Sequence, residues 1–241
     1  MDFKLEVPTA LEYFASLVQS DAHFPLLEAA TSLGQDEYPE LDIQEVLDHV
    51  DQLSGRLKQR IPSDAGALQK LRVLNKFFFD EHGFGGNLNN YYDPDNSYLH
   101  VMLRTRRGIP ISLAVLWLEL AQGLGLHAQG VGFPGHFLVK VRLPQPNEGQ
   151  VVIDPFTGES LSKEDLSERL VPLHAESGLL RDGHVSDDLL KHYLRAATPR
   201  EIVARMLRNL EEVYTSHQDP ERLMLVRQRL MVLLSTVDGQ D

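Results

Sequence analysis

The chain contains no cysteine. That absence removes disulfides, thiolate metal sites and thiol nucleophiles together. It also fits a reducing compartment, so a cytoplasmic location is the expectation. Basic residues are in deficit, with 23 Lys and Arg against 35 Asp and Glu, for a net charge of −12. Nucleic acid is therefore not an expected partner, because phosphate binding needs clustered cations and no basic stripe occurs. Long apolar runs are missing as well. The most apolar stretch, Ile109 to Leu120, is interrupted by Glu119 and is too short to span a bilayer. The opening residues Met1-Asp2-Phe3-Lys4-Leu5-Glu6 lack the basic start and unbroken apolar segment of a signal peptide. A soluble protein without a membrane partner is expected.

The 241 residues that are present suffice for a large core. Residues 8 to 60 read as helices. Leu11, Phe14, Leu17 and Val18 share a face at helical spacing, Leu26 to Leu33 ends near Gly34, and Asp42 precedes Ile43, Val46, Leu47, Val50 and Leu53. Asp64 is placed to cap a fourth helix carrying Leu68, Leu71, Leu74 and Phe77-Phe78-Phe79. The turn-rich segment from Gly83 to Asn96 predicts a long ordered loop, held to the core by Tyr91 and Tyr92. A short helix over about Ser97 to Arg106 precedes Gly108-Ile109-Pro110, where Pro110 suits the first turn of a helix that needs no N–H there. That helix, Ile111 to Gln122, is apolar on most sides and so central.

Strand character follows at Ala128 to Gly132, His136 to Arg142 and Val151 to Asp154. A hairpin loop over Pro144 to Gly149 would pair the last two antiparallel and bring His136 near Asp154. A further helix is expected from Lys163 to Leu170. Thr198-Pro199-Arg200-Glu201 is a capping box with proline at the first helical position, and Asp219-Pro220 starts a second helix through Leu234. These two helices form a hairpin similar to one tetratricopeptide unit, which cannot bury its own faces alone.

Several side chains carry candidate chemistry. His136, at the start of a strand, is placed to act as a base in a cleft or to cap its own turn. Asp154, before Pro155, could orient His136 or accept local backbone N–H groups. Ser112 is the hydroxyl nearest the start of the central helix, where first-turn capping competes strongly with a nucleophilic role. Arg104, Arg106 and Arg107 form the compact basic cluster, suited either to a carboxylate or to the end of the preceding helix. Gly130-Val131-Gly132-Phe133-Pro134-Gly135 has dinucleotide-loop spacing, but a strand follows it, so no cofactor is expected. The 10 histidines show no tight ligand spacing, and no metal is expected.

Gly83-Phe84-Gly85-Gly86-Asn87, Tyr92-Asp93-Pro94, Asn96-Ser97-Tyr98-Leu99, Arg106 to Leu113, Pro134-Gly135-His136-Phe137-Leu138 and Asp154-Pro155-Phe156 together resemble the SirB-type transglutaminase-like family of bacterial proteins. The resemblance implies an α+β fold. It would have a papain-type core on a small antiparallel sheet, a helical N-terminal region (1–62), the core itself (63–195) and a C-terminal helical hairpin (196–241). It carries His136 to the base position and Asp154 to the orienting position, and it puts Pro110 where a thiol enzyme has its nucleophile. Arg106, Arg107, Gly135 and Trp117 are the expected cleft residues. The leading expectation is a protein- or peptide-binding domain that has no thiol nucleophile and is not an enzyme. The alternatives are a hydrolase or acyl transferase using Ser112 with His136 and Asp154, and a helical scaffold acting through residues 198–235.

Overall fold

The computed structural model describes residues 8–145, 148–175, 180–181 and 184–235. The opening residues Met1 to Glu6, and Pro146 and Asn147 within the expected hairpin loop, lie outside these. The N-terminal part holds α1 (Ala10–Leu17), α2 (Leu26–Ser32), α3 (Ile43–Lys58) and α4 (Ala67–Asn75). Thr9 and Glu12 close a capping box on α1, and Asp42 accepts from the N–H of Glu45 to start α3. The fourth helix departs from expectation at both ends. Gly66, not Asp64, is its N-cap, and after Asn75 the backbone widens into a π-helical turn, Lys76–Glu81. That turn buries Phe77 and Phe78 together and ends with the Phe84 N–H on the Phe78 carbonyl.

The middle of the chain contains β1 (Gly85–Gly86), α5 (Leu99–Thr105), β2 (Arg107–Gly108) and α6 (Pro110–Gly123). The parallel β1–β2 bridge fastens the glycine-rich loop beside the start of α6. Helix α6 is buried along most of its length, including Leu113, Ala114, Leu116, Trp117 and Leu120. Its all-round apolar surface explains this position, since such a helix has no face to offer water.

The sheet follows as β3 (His127–Val131), β4 (Leu138–Leu143), β5 (Gly149–Ile153) and β6 (Ser160–Leu161), antiparallel throughout and in sequence order. Alternation along β4 decides its two faces. Val139, Val141 and Leu143 join the main core against α6, while Leu138 packs with Val131, Val152, Leu166 and Leu170 on the other side. That second side is covered by α7 (Lys163–His174) and α8 (Asp187–Tyr193), with a two-stranded pair, β7 (Leu180–Arg181) and β8 (His184–Val185), between them. His136 lies in the turn before β4 rather than within the strand.

The chain ends with α9 (Pro199–Ser216) and α10 (Pro220–Ser235), an antiparallel hairpin whose first helix starts at the expected capping box. Val203, Met206, Leu207 and Leu210 of α9 and Leu233 of α10 belong to the same core as Phe14, Leu57 and Leu113. Polar contacts reinforce the join. Buried Arg229 holds Asp36 through two bonds of 2.5 and 2.8 Å, and Arg200 reaches the carbonyl of Val18 at 2.6 Å. The Tyr98 and Tyr214 hydroxyls meet at 2.5 Å. The architecture is α+β, and no helix among the described residues is long and apolar enough to cross a membrane.

Removing Asp36 strands the guanidinium of Arg229, whose side chain is only 1% exposed. Asp36→Ala should therefore lose about 3–5 kcal/mol of stability in urea denaturation. Arg229→Met, which removes the buried charge as well, should lose clearly less. Equal losses would mean that the ion pair is not what holds α10 in place.

Candidate functional site

The site begins with a turn. Gly135 has a φ of 68°, a left-handed conformation that a residue with a Cβ rarely adopts, and His136 N–H closes onto the Phe133 carbonyl at 3.1 Å. The turn places the His136 ring beside the end of the β4–β5 ladder. The ladder pairs Val139 with Ile153, which leaves Asp154 just beyond the end of β5. His136 Nε2 and Asp154 Oδ1 are 2.7 Å apart. The pairing that the strand pattern predicted brings these two side chains together.

Asp154 is almost fully buried, and three further contacts surround it. The Phe156 N–H donates to Oδ1 at 2.9 Å, Arg169 Nη1 donates to Oδ2 at 3.2 Å, and the Gly158 N–H reaches the Asp154 main-chain carbonyl at 2.8 Å. Burial alone would raise the carboxyl pKa. The His136 hydrogen bond, with those from Phe156 and Arg169, outweighs it and holds the value below the ordinary range. Asp154 therefore closes its own Asp-Pro turn and also grips His136. A carboxylate on Nε2 fixes the proton there, so in the neutral ring Nδ1 carries the lone pair.

The ring of His136, with 21% of its side chain exposed, borders a cleft of about 330 Å³. Ile109, Pro110 and Ile111 at the start of α6 form the floor beside it, with Ser97. Tyr91, Tyr92 and Asp93 form one wall, and Arg205, Asn209, Glu212 and Val213 of α9 form the other. The wall on α9 is fastened to the turn itself. Arg205 Nη2 donates to the carbonyls of Phe133 at 3.1 Å and His136 at 2.8 Å, and its guanidinium lies 5.7 Å from the Phe137 ring centre. A larger groove of about 850 Å³ lies elsewhere, between β3, the end of α6 and the start of α9, and includes none of the candidate residues.

Other expected site residues lie elsewhere. Ser112 is completely buried. Its Oγ donates to the Asn96 carbonyl at 2.7 Å and accepts from the Ile109 N–H at 3.2 Å, so it is a structural cap and is not available as a nucleophile. A Cβ on Gly108 would come within 2.6 Å of that Oγ, which explains the glycine. Trp117 is also completely buried, with its indole N–H on Asn75 Oδ1 at 3.1 Å, and it cannot line a cleft. Arg106 and Arg107 do not border the cleft either. Arg107 bonds the carbonyls of Gly83 and Arg106, while Arg106 stacks on Phe84. Gly135 does line it. The α9 wall was not anticipated. Its sequence signal, Arg205, Asn209 and Glu212 spaced by four and three, is that of any solvated helix face. Among the described residues, no three His, Asp or Glu side chains converge as metal ligands.

At position 110 the chain lacks two things at once. Proline supplies neither a thiol nor a backbone N–H, so the first turn of α6 offers a developing oxyanion no donor there. The site presents an oriented imidazole beside a partly apolar, aromatic-walled cleft. Asp154→Asn should disturb the His136 tautomer, read directly from the ¹⁵N shifts of the ring. The linkage sign also follows. A carboxyl whose folded pKa is depressed stabilises the fold above its ordinary value of about 3.8, and that contribution disappears as pH falls through the lower folded value. The stability gap between wild type and Asp154→Asn should thus be full at pH 7 and shrink as pH falls below the ordinary carboxyl value of about 3.8. A gap that does not change with pH through the acid range would contradict it.

Residues 44–208 match the transglutaminase-like superfamily profile. A UPF0162 protein of Xylella fastidiosa is 38% identical over 216 residues, covering 89% of this chain and 73% of that protein. A UPF0162 protein of Pseudomonas aeruginosa is 29% identical over 208 residues, covering 86% and 72%. Human F-box only protein 21 shares a shorter stretch, 42% identical over 72 residues, or 30% of this chain and 12% of that one. No solved structure matches significantly. With its profile match spanning α4 to α8, the sheet and the His136–Asp154 pair, the chain belongs to the transglutaminase-like superfamily, alongside the UPF0162 proteins.

Proposed function

We propose that the His136 cleft binds a segment of protein or peptide and that the chain performs no thiol-type acyl transfer. The observation that carries this reading is the combination at one site of an Asp154-held imidazole and a proline at the start of α6. Orienting a histidine through a buried carboxylate is costly to arrange, since the carboxylate must be fully hydrogen-bonded to be kept charged. The exposed Tyr91 and Tyr92 rings suit contact with a peptide, as tyrosines do in recognition surfaces that join an apolar body to a polar tip. The acidic balance of the chain gives no support to a nucleic-acid partner. We read the core as papain-type and SirB-like on the order of its motifs. A reducing, cytoplasmic setting is the natural one for a chain without cysteine. The serine hydrolase alternative has no support from Ser112, and an independent scaffold role for residues 198–235 is weakened by the burial of α9 in the common core.

Peptides selected on the wild-type protein from a random library should bind at least about tenfold more weakly to His136→Ala and to Tyr92→Ala, measured by fluorescence anisotropy. Selected peptides that bind both variants unchanged would place recognition elsewhere and remove the proposal.

A second test uses the absence of cysteine. Pro110→Cys creates a single thiol at a helix N-terminus within the cleft that His136 borders. It should react with iodoacetamide at pH 6.5 about tenfold or more faster than the same thiol in a Pro110→Cys, His136→Ala double variant. Equal rates would show that position 110 and His136 do not form a reactive frame.

A further inference from the structure

The four-stranded sheet ends on an edge that the fold leaves partly open. Strand β3 comes first in the order β3-β4-β5-β6, so only one of its sides is paired with a strand. Its register with β4 runs without a bulge, from His127 opposite Arg142 to Val131 opposite Leu138. The Ala197 N–H donates to the Gly130 carbonyl at 2.9 Å, so the backbone of Gly130 points away from β4. In an antiparallel ladder alternate residues point their backbone polar groups the same way, and those of Ala128 therefore point outward too. The Ala128 N–H turns back to the Leu126 carbonyl at 3.0 Å. Among the described residues nothing bonds the Ala128 carbonyl or the Gly130 N–H. Both residues line the groove of about 850 Å³ between β3, the end of α6 and the start of α9.

We propose that this groove, separate from the His136 cleft, takes an extended segment of a partner protein that pairs with the outer edge of β3 and alternates apolar with acidic side chains. Natural sheets blunt a free edge with proline, lysine, a bulge or a covering element, and His127 to Val131 carries none of the first three. The outward acceptor of Ala128 and donor of Gly130 are the pair that one added strand satisfies. The Ala197 contact shows the edge already bonding a passing chain, and it ends the open stretch at Gly130. Side chains of an added strand alternate between the two faces of the sheet. On the Ala128 face they meet Leu26, Leu118 and Ile202, which pack on the main core. On the Gln129 face they meet His127 and Arg142. Arg142 is exposed and carries no ion pair among the described residues, and neighbouring Lys140 donates to the Leu194 carbonyl at 2.7 Å. Glu148 is the one carboxylate lining the groove, so cations prevail on this face of a chain whose net charge is −12. A second copy of the chain suits the groove less well, because its own β3 edge is walled in the same way by α2, α6 and α9.

The test is NMR of the ¹⁵N-labelled full chain, titrated with a five-residue peptide of alternating valine and glutamate that is acetylated and amidated at its ends. The Gly130 amide should shift saturably and exchange its hydrogen about tenfold or more slowly, because a bound strand gives it an acceptor. The His136 ring signals should stay in place. The same peptide with lysine in place of glutamate should bind about tenfold or more weakly, and Arg142→Glu, a change at an exposed side chain, should narrow or reverse that preference. The glutamate peptide N-methylated throughout has no N–H to give the Ala128 carbonyl and should also bind about tenfold or more weakly. No saturable change at Gly130, a response at His136 in its place, equal affinity for the glutamate and lysine peptides, a preference untouched by Arg142→Glu, or undiminished binding of the N-methylated peptide would each overturn the proposal.

Discussion

The start of α6 is pinned by one carbonyl, and the cleft is built around that point. The Asn96 main-chain oxygen accepts from Ser112 Oγ at 2.7 Å and from the Ile109 N–H at 3.3 Å. The Asn96 side chain then reaches back, donating to the Asn90 carbonyl at 2.6 Å and accepting from Asn87 Nδ2 at 2.9 Å. The loop bearing Tyr91 and Tyr92 is thereby fixed to the helix end bearing Pro110. Buried backbone groups at a helix start must find partners, and here the partners come from the loop that forms the wall. Wall and floor are thus a single hydrogen-bonded piece.

The other wall belongs to the C-terminal helical hairpin, which by its sequence cannot bury its own faces alone. Helix α9 buries Val203, Met206 and Leu207 completely and presents Arg205 to the turn that carries His136. The Phe133 and His136 carbonyls have Arg205 as donor, so the conformation of that turn depends on a residue about seventy positions later in the chain. The Tyr98–Tyr214 contact joins the same helix to the segment preceding α5. Burial pushes the Tyr214 hydroxyl up to about 12, with Tyr98 and Arg222 only partly offsetting it, so the hydroxyl stays protonated across the physiological range. Because α9 is both core and wall, the stability of the fold and the shape of the cleft are set by the same packing.

What the sequence made legible was local. Gly108-Ile109-Pro110, Gly135-His136 and Asp154-Pro155 each encode a turn or helix start through the backbone demands of glycine and proline. The two strands between them were regular enough to place His136 and Asp154 together. The capping box at Thr198 gave the start of α9 for the same reason. What could not be read depended on partners far away in the chain. Ser112 is a cap instead of a reagent because Asn96 folds over it, and Trp117 is core because Asn75 meets its N–H. Arg106 and Arg107 look like cleft residues by adjacency to Gly108, yet the left-handed backbone at Arg106 sends the pair toward Phe84 and Gly83. Phe77 to Phe79 continue a helical pattern whose widening into a π turn is set by packing against Phe84 and not by propensity.

On the proposed reading, Pro110 matters for its missing backbone N–H as well as for the thiol it does not carry. A serine or alanine there would keep the backbone N–H and with it a helix-terminus donor for anionic intermediates. Proline suits the helix start through its fixed φ and supplies neither a thiol nor an N–H donor there. The proposed binding role needs only what His136 offers: a ring with its proton at Nε2, an Nδ1 lone pair in the neutral state, and an anchored turn beneath it. Those features serve to accept a hydrogen bond from a bound segment as well as they would serve to abstract a proton. The cost of burying the Asp154 carboxylate is offset by three hydrogen bonds, from His136, Phe156 and Arg169, and the Phe156 bond together with Gly158 N–H on the main-chain carbonyl closes its turn, so the dyad is held by the fold itself.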